Sequence, residues 1–131
     1  PTSPRIVSKA DSKRGIQRER DMVNLLQQND YFAMRAPASL GVADVVALKG
    51  GRRPMLIEMK STSRSAFAGF PPADRADLLF AAALSGAEAW LVYWPKRSKP
   101  QWISPEHWPP TDMGTYVPKQ IAPALRQQPG A

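Results

Sequence analysis

Apolar residues recur at helical spacing across residues 15–29. Ile16, Val23 and Leu26 form one stripe, with Met22 and Leu25 beside it, which predicts a first helix. Glu19 interrupts that stripe, three positions after Ile16 and four before Val23. A carboxylate on an apolar face is rare unless it is paired or bound to a metal. Residues 31–35 (YFAMR) then read as a short strand, 36–41 as a Pro- and Ser-containing turn, and 42–48 (VADVVAL) as a second strand. Gly50 and Gly51, followed by Arg52, Arg53 and Pro54, mark a turn before the return strand 55–60 (MLIEMK). A Ser/Thr/Gly loop over 61–72 carries Arg64, Phe67 and Phe70. A second helix follows over 72–85, with Asp74 near its start and Gly86 as its stop. Residues 78–84 of that helix are almost continuously apolar, so it is expected to pack on a sheet and to offer surface to a second copy of the chain. Strands over 89–94 (AWLVYW) and 101–104 (QWIS), separated by a basic turn over 96–100, complete the pattern. The order α-β-β-β-α-β-β predicts an α/β fold with a central mixed five-stranded sheet flanked by helices.

The ends lack such periodicity. Residues 1–12 read as a basic arm, 13–108 as a single domain, and 109–131 as a Pro-rich tail. A chain of 131 residues supports one core of this kind. Composition then narrows the chemistry. The chain has no cysteine, which excludes a disulfide scaffold, a cysteine zinc site, an iron–sulfur cluster and a cysteine nucleophile. Its single histidine, His107, has no metal-ligand partner nearby in sequence and is expected to be structural or exposed. Eighteen Lys and Arg against eleven Asp and Glu leave a net charge of +7, so a polyanion is the leading partner class, nucleic acid before a membrane surface. No apolar run of membrane-spanning length is present, and residues 1–20 show no signal-peptide pattern, so the expected address is the cytoplasm.

The informative positions are Asp44, Glu58 and Lys60. Side chains alternate along a strand, so Glu58 and Lys60 face one side while Ile57 and Met59 face the other. Asp44 and Glu58 each lie seven positions from Gly51, so a hairpin turning there sets them opposite each other. Cross-strand neighbours on one face are about 5 Å apart at Cβ. Two carboxylates that close repel in a poorly solvated site. A hard divalent cation such as Mg²⁺ resolves that repulsion, and Lys60 stands one strand step away. Glu19, if its helix packs on the sheet, points toward the same place. The alternative is a cross-strand salt bridge in which Lys60 neutralises Asp44 or Glu58.

Three runs, KRGIQRERDMVNLL, MRAPASLGVADVVAL and LIEMKSTSR, together resemble the archaeal-type Holliday junction resolvases of the PD-(D/E)xK, restriction-endonuclease-like nuclease superfamily. The family opens on a Lys-Gly-x-x-x-Glu-Arg-Glu helix; residues 13–21 match it with one extra residue between Lys13 and Gly15 and with Asp21 as the last acid. An Arg-ending strand (Arg35), a Ser-containing loop (Ser39), and Asp44 with the Glu58-x-Lys60 triplet follow, with Ala43 where the family usually has proline. The resemblance spans residues 13–94 and implies a restriction-endonuclease-like core. It implies Glu19, Asp44 and Glu58 as metal ligands or acids of the metal's outer shell, Lys60 as the group that orients or activates the nucleophile, and Ser39 as a further catalytic residue. Mg²⁺ is the expected metal, with Mn²⁺ substituting, and no small-molecule cofactor is expected. Lys13, Arg14, Arg20, Arg35, Arg52, Arg53 and Arg64 are candidates for contact with the DNA backbone; surface ion pairs or a solvated basic face are the alternative for each. Paired cuts across a four-way junction need two active sites in fixed relation, so a homodimer is expected. Competing expectations are a nuclease of the same core acting on another DNA structure, and a DNA-binding module without activity. Phe67 and Phe70 are expected in the core rather than at a branch point, and Trp90, Trp94, Trp102 and Trp108 in packing rather than base stacking.

Overall fold

The computed structural model describes residues 9–36, 42–62 and 65–110. The elements are α1 (Lys9–Gln28), β1 (Phe32–Arg35), β2 (Val45–Leu48), β3 (Met55–Lys60), α2 (Pro72–Ser85), β4 (Glu88–Tyr93) and β5 (Gln101–Ile103), followed by a short 3₁₀ turn, Pro105–His107. The five strands form one sheet in the order β1-β2-β3-β4-β5. Neighbouring pairs are antiparallel except β3 and β4, which run parallel across the α2 connection. The mixed five-stranded α/β architecture expected from the apolar pattern is therefore the one observed.

β3 sits at the centre and is apolar toward both layers. Met55, Ile57 and Met59 join Met22 and Leu26 of α1 in one buried cluster, with Ala33, Val45, Ala47 and Val92. On the other face Leu56 packs against Phe70, Leu78, Ala82, Ala87, Ala89, Leu91 and Trp108. Phe70 is fully buried and meets Trp108 edge-on at 5.1 Å. Trp90 and Trp102 pair edge-on at 5.6 Å, and both, with Trp94, pack on the first cluster. The aromatic residues thus serve packing, as their place in apolar runs suggests.

Several boundaries differ from the sequence reading, most by one residue. α1 begins at Lys9, not at residue 15, because residues 9–14 contain no breaker and Gly15 is accommodated inside the helix. β2 starts at Val45, three residues late; Asp44 has left the ladder but still donates its backbone N–H to the Ile57 carbonyl at 2.8 Å. β4 ends at Tyr93, and the Trp94 N–H continues to the Lys60 carbonyl at 2.7 Å. α2 ends where expected, on Gly86 in the left-handed conformation (φ 66°), whose N–H closes the last turn. His107 is exposed. No described helix is long and apolar enough to cross a membrane.

Candidate active site

The sheet register brings together one end of four strands. β1 ends at Arg35, which pairs with Val45, the first residue of β2; Val45 pairs with Ile57 of β3. Continuing that register sets Asp44 against Glu58, as their equal distance from Gly51 requires. β4 runs parallel to β3, so Lys60 and Tyr93 reach the same end. Arg35, Asp44, Glu58, Lys60 and Trp94 therefore line a single rim.

Asp44 is fixed by its backbone and its side chain. Its carboxylate Oδ2 accepts the Met59 backbone N–H at 2.8 Å, and its carboxyl lies within hydrogen-bonding reach of Glu58. Lys60 donates to Glu58 Oε2 at 2.9 Å. The site is largely withdrawn from water. Burial pushes the Glu58 carboxyl up to about 8, reinforced by the Asp44 charge and, more weakly, by Asp74 in the first turn of α2; Lys60 opposes the shift. Burial also raises Asp44, against the Met59 N–H, Lys60, Glu58 and Arg35. One ammonium does not satisfy two buried carboxylates, and the remaining charge is relieved by a proton or by a cation. Two adjacent hard carboxylate donors suit Mg²⁺, which is commonly held by one or two carboxylates plus water and substrate oxygens. The residues present fit such an ion.

Glu19 is ion-paired with the last residue of β1. Arg35 donates to its Oε1 at 2.9 Å. Burial raises the Glu19 pKa, Arg35 lowers it, and the Asp44 charge raises it again, so Glu19 lies within electrostatic reach of Asp44. Among the described residues no three acids or histidines converge into one ligand cluster. The structure thus gathers Asp44, Glu58 and Lys60 and places Glu19 and Arg35 as a paired flank. That pairing explains the carboxylate on the apolar stripe of α1: it faces a cation at the end of β1.

The candidate DNA contacts divide. Lys13, Arg20 and Arg52 are exposed. Arg35 is committed to Glu19. Arg53 donates to the Gly86 and Ala87 carbonyls and closes the end of α2, a structural tie rather than the free backbone contact expected of it. Arg14 is half-buried on α1. Ser39 and Arg64 lie outside the described residues. The sequence reading missed Arg18, whose guanidinium donates to the Trp94 and Pro95 carbonyls at 3.1 and 2.8 Å and lies 4.5 Å over the Trp94 ring. It also missed Arg75, buried in α2, which donates to the Phe70 and Pro110 carbonyls. No spacing signal links these partners in the sequence.

The chain is similar in structure to Archaeoglobus fulgidus Hjc, a Holliday junction resolvase from an archaeal hyperthermophile, with a TM-score of 0.60 and 23% identity over 82% of this chain and 89% of that one. No curated relative matches the chain at a significant level. The archaeal Holliday junction resolvase (Hjc) family matches residues 10–128, beyond the 13–94 stretch that carries the resemblance. The chain belongs to the archaeal Holliday junction resolvase family.

Proposed function

We propose that the chain is a Mg²⁺-dependent endonuclease that resolves four-way DNA junctions by paired phosphodiester hydrolysis, acting as a homodimer. The observation that carries this reading is the partly buried Asp44–Glu58 pair, with Lys60 2.9 Å from Glu58, at one end of the sheet. Family membership supports branched DNA as the substrate class. Asp44 and Glu58 would hold the ion, which when bound neutralises charge on the scissile phosphate and lowers the pKa of a coordinated water. Asp44 is pre-set for this by the Met59 N–H, which fixes one of its two carboxylate oxygens. Lys60, on the same face as Glu58, is the donor that orients the attacking water or a phosphate oxygen. Arg35 and Glu19 fix the flank on which Asp44 lies.

A second reading draws on the same contact. The Lys60–Glu58 ion pair fits a non-catalytic DNA-binding module in which the acid site is a structural salt bridge. Incubating the full chain with an immobile four-way junction and with plain duplex, in Mg²⁺ and in EDTA, separates the two. Symmetric paired nicks on the junction alone, lost in EDTA, are the expected result. Tight junction binding with no cut in Mg²⁺ or Mn²⁺ overturns the catalytic reading.

A further inference from the structure

The turn joining β4 to β5 carries three cations in four residues, Lys96, Arg97 and Lys99, all exposed. None of them is in an ion pair among the described residues. Such a cluster on an ordinary surface is a mobile, solvated patch. Here the turn is held rigidly. The Trp94 indole N–H donates to the Ser98 carbonyl at 2.8 Å, and Ser98 Oγ donates to the Pro95 carbonyl at 2.8 Å. Arg18 grips the Trp94 and Pro95 carbonyls from α1, and its own charge is shared with Asp21 at 3.2 Å. Gln17 takes the other oxygen of Asp21, so the acid that shares a cleft with Lys96 is already occupied.

Arg97 supplies a second observation. Its φ is 62°, the left-handed region that favours glycine or asparagine. A long cationic side chain at that position costs about 1 kcal/mol relative to glycine, yet the chain places one there. The turn also leaves the same end of the sheet as the acid pair. The Trp94 N–H is bonded to the Lys60 carbonyl, so the cations project from the strand adjacent to β3, at the same end of the sheet. Between the turn and α1 lies a cleft of about 210 Å³ lined by Arg14, Gln17, Arg18, Asp21 and Lys96.

From these observations we propose that Lys96, Arg97 and Lys99 form a preorganised clamp for the DNA sugar-phosphate backbone, gripping phosphates next to the one held at Asp44 and Glu58. The inference rests on the junction-resolving reading and adds a second contact line to it. Rigid cations release bound counterions without first losing side-chain and loop freedom, which is why the held turn matters.

The test compares wild type with the Lys96→Ala/Arg97→Gly/Lys99→Ala variant by fluorescence anisotropy on a labelled four-way junction and on duplex, across a salt series. Each phosphate contact contributes a slope of about 0.9 in log affinity against log salt, so the variant's slope should flatten by about two to three. Affinity at low salt should fall by at least about tenfold. The melting temperature should hold or rise, because Arg97→Gly removes the left-handed cost. A Lys96→Arg/Lys99→Arg variant should keep the wild-type slope. An unchanged slope in the neutral variant, with wild type still binding and cutting junctions, overturns the clamp alone. Failure of wild type to bind branched DNA removes the resolvase reading and the clamp with it.

Discussion

Asp44 and Glu58 are costly residues to place where they are, and the cost depends on pH. In its ordinary environment Glu58 ionises near 4.5, whereas in the folded chain it does so at about 8. Between those values the unfolded chain has lost a proton that the folded chain retains. Folding stability from this group therefore falls as pH rises through that window. Thermal melts in EDTA should show a lower melting temperature at pH 8 than at pH 5.5, and Glu58→Gln should flatten that difference. Added Mg²⁺ should raise the pH 8 melting temperature of wild type and leave Glu58→Gln nearly unmoved. In cleavage assays Asp44→Asn, Glu58→Gln and Lys60→Ala should abolish cutting while sparing junction binding. Glu19→Gln acts through Arg35 and should be milder, about 10–100-fold in rate, as for groups that orient metal-site residues. A Glu19 variant as inactive as Glu58→Gln would instead make Glu19 a direct ligand.

Among the elements, the β2–β3 hairpin was the most legible. Its register depends only on the turn at Gly51 and the two-residue period of a strand, both local features of the sequence. α2 was equally clear, because a Pro at the start and Gly86 at the end mark it without tertiary information. α1 was less so: Gly15 reads as a boundary, because the apolar stripe begins only at Ile16, yet the helix runs through it from Lys9. The grips of Arg18 on Trp94 and of Arg75 on Pro110 join residues 76 and 35 positions apart, where no period operates. The site followed the same division, since Asp44, Glu58 and Lys60 share one hairpin while the Glu19–Arg35 pairing depends on how α1 crosses the sheet. Gly86 gives a test at this scale. A Cβ there meets no neighbour within 4 Å, so the cost of Gly86→Ala is confined to its φ of 66°. It should destabilise by about 1 kcal/mol, read as a melting-temperature drop of several degrees, with junction cutting unchanged.

For the whole molecule, the proposed homodimer needs an apolar face. α2 exposes Leu84, but β1 and β2 expose more: Phe32, Met34 and Leu48. Phe32 pairs with Leu48, and Met34 is two residues along the same edge strand. Ala33 between them is buried toward α1, so the three lie on the opposite face. Met34→Glu should shift the chain toward monomer in light scattering and convert paired cuts into single nicks. A variant that stays dimeric would move the contact to α2. The consecutive residues Arg18 and Glu19 reach in different directions from one helix, one to the end of β4 and the other to the end of β1. Each residue of helix turns by about 100°, while Met22 and Leu26 lock the same helix into the core a turn later. A single-residue insertion between Glu19 and Met22 would keep every side chain and still swing both grips off their targets at once. The site is thus more sensitive to a change of spacing between 18 and 22 than its list of side chains suggests: the helix acts there as a ruler as well as a scaffold.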